Sequence, residues 1–131
     1  MAKKTEAKTS VTKKFTKLPK QVALAIAAAE DKQAVNIVAL DLRKSAGFTD
    51  FFLIASGTNT RQVRAIADAV MEALAGKGEK PAYVEGYDHS EWILLDYFDF
   101  IVHVFGPETR VFYDLERLWG NADRIEVAAE R

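Results

Sequence analysis

At 131 residues, with 49% hydrophobic and 28% charged side chains, the chain has the size and balance of one globular domain that can bury a core unaided. It contains no cysteine, which excludes disulfides, thiolate metal sites and cysteine nucleophiles and fits a reducing compartment. The formal net charge of −1 conceals an asymmetry: residues 1–20 hold seven lysines against Glu6, a balance of +6, whereas the other 111 residues carry 11 basic and 18 acidic side chains, a balance of −7. The basic stretch suits a polyanion and equally suits a solubilising leader, while an acidic body attracts a basic protein. No apolar run approaches the roughly 20 residues that span a bilayer, and Met1 to Lys20 has no apolar signal segment, so the expectation is a soluble, cytoplasmic protein with no membrane contact.

Residues 1–18 read as a disordered basic tail, polar and unpatterned, and residues 19–125 as a single folded domain. Pro19 opens a helix whose apolar face is Val22, Ala23, Ile26, Ala27 and Ala29. Val35 to Leu42 is an aliphatic, β-branched run and predicts a buried strand. Ser45, Gly47 and Asp50 mark a connection. Phe51 to Ser56 (FFLIAS) is apolar on both faces, the pattern of a central strand covered on both sides.

Val63, Ile66, Ala67, Val70, Met71 and Leu74 form the clearest helical stripe, with Asn59 or Thr60 as cap and Gly76 and Gly78 beyond its end. A short strand from Ala82 to Glu85 and a turn from Gly86 to Ser90 precede Trp92–Tyr97 and Asp99–Phe105, which predict an antiparallel hairpin. Pro107 starts a last helix carrying Val111, Phe112, Leu115, Leu118 and Trp119, and the polar residues from Asn121 onward are expected to fray. The order α-β-β-α-β-β-β-α predicts an α/β fold with a mixed five-stranded sheet and packed helices.

Catalytic chemistry finds few footholds. There are two histidines, His89 and His103, with no HExxH pair and no aspartate-rich loop, so no metal or other cofactor is expected. His103 alternates with Ile101 and Phe105, a placement typical of a hydrogen-bonded core or interface residue. No GxSxG elbow appears. Gly57-Thr58-Asn59-Thr60-Arg61 joins a strand to a helix but fits neither GxGxxG nor GxxxxGK[ST], and capping accounts for its polar residues. Asp96 and Asp99 need not face each other across a turn, and no strand offers the D-x-D or D-x-E spacing of two-metal phosphoryl transfer. The remaining enzymatic alternative is a nucleotide-binding or nucleotidyltransferase activity built on Asp41, Asp50 and the Gly57–Arg61 turn.

Four segments in order carry a resemblance: LDLRKSAGFTDFFLIASGTNTRQVRAIADAV (40–70), Glu85–Gly86, WILLDYFDFIVHVF (92–105) and RVFYDLERLW (110–119). Together they resemble the Iojap family, the bacterial ribosomal silencing factors, over Asp41 to Asp123. The resemblance implies an α/β fold similar to nucleotidyltransferases but without the catalytic carboxylates. It implies a translational repressor, not an enzyme, that binds the large ribosomal subunit through its basic ribosomal protein fourteen at the intersubunit face and blocks subunit joining when nutrients are short.

The strand pair and the last motif then supply the expected partner-binding residues: Trp92, Leu94, Leu95, Asp96, Tyr97, His103, Tyr113 and Glu116. Trp92, Leu94 and Asp96 share one strand face, whereas Ile93, Leu95 and Tyr97 share the other. One set can line the core while the other meets a partner, and an uncovered apolar face also invites a second copy as a homodimer.

The lysine-rich tail lies outside these motifs, and two roles stay open for it: contact with ribosomal RNA, or a solubilising leader. Such contact releases counterions and weakens steeply with salt, unlike apolar docking of the domain. Deleting residues 1–17 is therefore expected to weaken ribosome binding at low salt and to flatten its salt dependence. Affinities of both forms across a salt series check this; parallel lines would leave the tail a mere leader.

Overall fold

The computed structural model describes residues 18–127. The disorder expected for residues 1–17 falls outside the described residues, and Leu18, expected to end the tail, is corrected to the core, where it is 7% exposed. In chain order the elements are α1 (Lys20–Asp31), β1 (Val35–Asp41), β2 (Phe51–Ser56), α2 (Thr60–Ala75), β3 (Tyr83–Glu85), β4 (Trp92–Asp96), β5 (Phe100–Phe105), α3 (Pro107–Tyr113), α4 (Leu115–Leu118) and β6 (Asp123–Glu126).

Every residue of β2 and β5 is buried, as two-faced apolar sequences require. These strands run parallel at the centre of a sheet ordered β3-β4-β5-β2-β1-β6, and the other neighbouring pairs are antiparallel. On one sheet face, Val22, Ala25, Ile26 and Ala29 of α1 and the stripe Val63, Ile66, Ala67, Val70 and Leu74 of α2 close over Ile37, Leu53, Ile93, Leu95, Val102 and Val104. Each large aliphatic side chain so buried contributes about 1.5–3 kcal/mol. Asn59 caps α2 by accepting the Gln62 backbone N–H at 2.9 Å.

The opposite face gathers Val38, Leu40, Phe52, Ile54, Ile101 and Phe105 into a second cluster, against which Leu115, Trp119 and Trp92 pack only partly buried. No residue of α3 or α4 is buried. This face is thinly covered.

The expectation of a five-stranded sheet is corrected to six strands. Asp123–Glu126, expected to fray, pairs antiparallel with β1 from Val38↔Glu126 to Asp41↔Asp123. An edge strand exposes most of its side chains, so its sequence carries little apolar periodicity; here Ile125 alone packs against the core from within it. The single last helix is corrected to two short ones. The chain breaks at Asp114, which adopts the left-handed region (φ 47°, ψ 56°), a conformation that Asp tolerates better than most residues.

The β3–β4 hairpin depends on Gly86. Its φ is +83°, and a Cβ there would overlap the Trp92 carbonyl oxygen, so only glycine permits the approach that sets β4 in place. Gly86→Ala should cost more than about 2 kcal/mol of unfolding free energy, while Gly47→Ala, which has open space around it, should stay within about 0.5 kcal/mol. Chemical denaturation of the two variants reads the difference directly.

Candidate functional site

The thinly covered sheet face holds the densest group of aromatic side chains. Alternation along β4 sends Ile93 and Leu95, both fully buried, toward the helices and leaves Trp92, Leu94 and Asp96 half-buried on the other side. Cross-strand pairing places Trp92 opposite Phe105 and Leu94 opposite His103. The Trp92 ring stacks on Phe105 (centroids 4.9 Å apart, planes at 29°) and is met by Tyr113 from α3 at 4.7 Å. Its indole N–H donates to His103 Nδ1 at 3.1 Å. Phe52 closes on the imidazole edge-on at 4.4 Å.

Around this plate the chain exposes large apolar groups: Phe112 and Val111 are each 79% exposed, Leu118 71% and Tyr113 51%. A second ring cluster, Phe48 with Phe52 and Trp119, continues the surface at centroid separations of 5.9–6.2 Å.

His103 is 3% exposed and burial alone pushes its pKa down to about 3, so the imidazole is neutral. Because Nδ1 accepts the indole proton, the ring proton must sit on Nε2, which is buried without a partner. Asp96 is partly committed: its Oδ1 accepts the Phe98 N–H at 2.8 Å and stabilises the tight turn at Phe98, whose φ is +73°.

Tyr113 is held over Trp92 by an ionic clamp. The Arg110 guanidinium makes a two-pronged contact with Glu116 at 2.9 and 3.2 Å and donates to the Ser56 hydroxyl at 2.8 Å. Arg124 adds contacts to Glu116 at 3.2 Å and to Glu126 at 3.0 Å. The Arg110 hydrogen bonds hold the Glu116 carboxyl below the usual carboxylate range. The clamp ties α3 and α4 to β2 and β6 and lines a cleft of about 570 Å³ with Ser56, Gly57 and Thr58.

Of the expected partner-binding residues, the fold brings Trp92, Leu94, Asp96 and Tyr113 to the plate; His103 lies on the same face but is a correction, since at 3% exposure it sits beneath the rings and out of a partner's reach. Leu95 and Tyr97 are corrections. The pleat turns both toward the helix layer, where Leu95 is fully buried and Tyr97 is 6% exposed, stacked on Phe100 at 4.9 Å. Burial also pushes the Tyr97 hydroxyl up to about 12, and the hydroxyl has no hydrogen-bond partner. Glu116 is engaged inside the fold by Arg110 and Arg124. Sequence reading missed Arg110, because it lies six residues from Glu116, beyond the reach of a continuous helix; only the break at Asp114 brings the two together.

The enzymatic alternative is only half assembled: Asp41 and Asp50 share one end of the β1–β2 pair, but the Gly57 turn does not join them. Asp41 lies beside Phe51 at the start of β2, whereas the Gly57 turn follows its end. Six extended residues separate them by about 20 Å. Asp41 is bound by Arg43 at 2.7 Å, which lowers its pKa. Gly57 is required by packing, since a Cβ there would stand 2.8 Å from the Val63 backbone nitrogen in the first turns of α2. Thr58 donates its N–H and hydroxyl to Gln62 Oε1 at 2.7 and 2.9 Å. Among the described residues no cluster of three or more potential metal ligands forms, and no helix is long and apolar enough to cross a membrane.

Fold and site together define a mixed-sheet α/β domain that carries an aromatic plate on its thinly covered sheet face. A family model described as "Ribosomal silencing factor during starvation" matches residues 16–131. The chain is 39% identical over 104 residues to a ribosomal silencing factor of Halalkalibacterium halodurans, covering 79% of this chain and 89% of that one. It is 38% identical over 106 residues to the chloroplastic protein Iojap of Zea mays, covering 81% of this chain and 46% of that one. A crystal structure of a Chromobacterium violaceum protein superposes with a TM-score of 0.73 at 36% identity, covering 82% and 85% of the two chains. The chain belongs to the family of ribosomal silencing factors, to which the plant Iojap proteins are related.

The buried imidazole makes stability depend on pH. Its folded pKa lies below the ordinary 6.5. As pH falls below about 6.5 the unfolded chain therefore binds a proton that the native state refuses, and stability drops by up to about 1.4 kcal/mol per pH unit. Between pH 7 and pH 5, His103→Asn should lose about 2 kcal/mol less unfolding free energy than the unsubstituted protein. Denaturant titrations at the two pH values test this, and carboxylates common to both proteins cancel in the comparison.

Proposed function

We propose that this protein is a translational repressor that docks on the large ribosomal subunit, through its basic ribosomal protein fourteen at the intersubunit face, and keeps the small subunit from joining when nutrients are short. The observation that carries this reading is the plate of Trp92, Leu94 and Tyr113. It is half-exposed on a sheet face that α3 and α4 cover only in part. Trp and Tyr set in an apolar surround are the residues that anchor protein interfaces. The net charge of −7 outside the first 20 residues favours a basic partner. Family membership supplies the ribosomal context, and the lysine-rich tail would add contact with ribosomal RNA.

Exclusion of the small subunit needs no catalysis, only occupancy, so inhibition should saturate at about one copy per large subunit. Purified subunits mixed with increasing protein and sedimented through sucrose measure this, and undiminished joining at saturation would overturn the reading. Trp92→Ala should lose roughly 2 kcal/mol or more of binding while the domain still melts cooperatively. Tyr97→Phe, altered on the helix-covered face, should bind as the unsubstituted protein does.

A further inference from the structure

His103 lies on the plate side of the sheet, yet it is 3% exposed and cannot reach a partner. Its strand neighbours on that face, Ile101 and Phe105, are apolar, and Phe52 closes over its ring. An apolar side chain would fill this volume without burying an unpaired donor, which the Nε2 proton now is. Packing alone therefore does not account for histidine here. What the imidazole adds is one acceptor, Nδ1, aimed at the Trp92 indole N–H at 3.1 Å.

Phe105 and Tyr113 set the plane of the indole, but stacked rings leave its in-plane direction undecided, because a flip about χ2 presents the opposite edge in nearly the same plane. The hydrogen bond to Nδ1 resolves that choice. It also consumes the indole's single donor, so a partner meets Trp92 through its carbon edge and finds open π surface on the half-exposed Tyr113 ring beside it.

We propose that His103 is a positioning residue that fixes the orientation of the Trp92 indole, so that the plate receives the aliphatic stem and cationic head of a lysine or arginine on its partner instead of a hydrogen-bond acceptor. With the indole donor satisfied, the plate offers hydrocarbon contact along the Trp92 edge and cation–π attraction at the exposed Tyr113 ring, and a basic side chain answers both with its stem and head. This inference rests on the docking reading above, and deepens it by naming the chemistry that the plate accepts.

The test uses the full chain with His103→Leu, His103→Asn and Trp92→Ala. Affinity for purified large subunits is measured for each, together with thermal melting. Indole and imidazole ¹⁵N spectra are recorded in a Trp119→Phe background, so that Trp92 gives the only indole signal. The unsubstituted protein should show the Nε2-protonated tautomer and a slowly exchanging indole proton. His103→Leu should melt no lower, exchange its indole proton faster and bind about tenfold more weakly, the loss expected for one hydrogen bond's worth of positioning. His103→Asn, whose Oδ1 can stand where Nδ1 stood, should restore slow exchange and most of the affinity.

If His103→Leu leaves both the indole signal and the affinity unchanged while Trp92→Ala abolishes binding, the positioning role falls and the docking surface stands. If Trp92→Ala binds normally, both fall together. A His103→Leu protein that loses stability and affinity in parallel, without rescue by asparagine, would reduce His103 to packing and overturn the proposal.

Discussion

The parallel pairing of β2 with β5 is the constraint on which the rest of the molecule depends. Phe51 to Ser56 and Phe100 to Phe105 lie in continuous register, and every side chain on both strands is buried. Two such strands cannot sit at an edge, since each demands apolar cover on both faces. Placing them side by side at the centre forces the hairpin partner β4 to one flank and β1 to the other. It also commits each alternate residue to one of two unequal surfaces.

That inequality is the source of the site. One face is closed by α1 and α2, helices of twelve and sixteen residues with continuous apolar stripes. The other receives α3 and α4, of seven and four residues, neither with a buried side chain. A short helix cannot cover the width of a sheet, so the aromatic groups on that side shield one another instead. Phe105, Trp92 and Tyr113 form one ring contact sequence, and Phe52, Phe48 and Trp119 form another. Such self-shielding satisfies the core while leaving large rings accessible, which is the physical condition for a docking surface.

Polar groups hold this arrangement in place. Arg110, Glu116, Ser56 and Arg124 fasten the small helices where apolar contact is sparse, and Arg110 and Glu116 are themselves largely shielded, at 11% and 17% side-chain exposure. Ion pairs and hydrogen bonds at that depth are directional, so they specify a position that loose hydrophobic packing would leave variable. Beneath the plate, the histidine–tryptophan hydrogen bond adds direction to the rings in the same way.

The sequence alone determined the elements whose residues repeat with a clear period: the α2 stripe from Val63 to Leu74, the two-faced FFLIAS strand, and the alternation that divides Trp92, Leu94 and Asp96 from Ile93, Leu95 and Tyr97. Those patterns are local, and burial imposes them residue by residue. The motifs were also enough to indicate the family to which the chain belongs. Only the tertiary structure decided which of the two β4 faces remains open, because the answer lies in the different lengths of helix that pack on them. It also placed Tyr97 and Leu95 in the core. It revealed β6, whose pairing with β1 rests on backbone hydrogen bonds that polar residues supply as well as apolar ones. And it broke the last helix at Asp114, which brought Arg110 to Glu116 across six residues and so fixed Tyr113 above Trp92. Each of these is a relation between distant segments, set by which surfaces can be covered at once, and no local period in the chain encodes it.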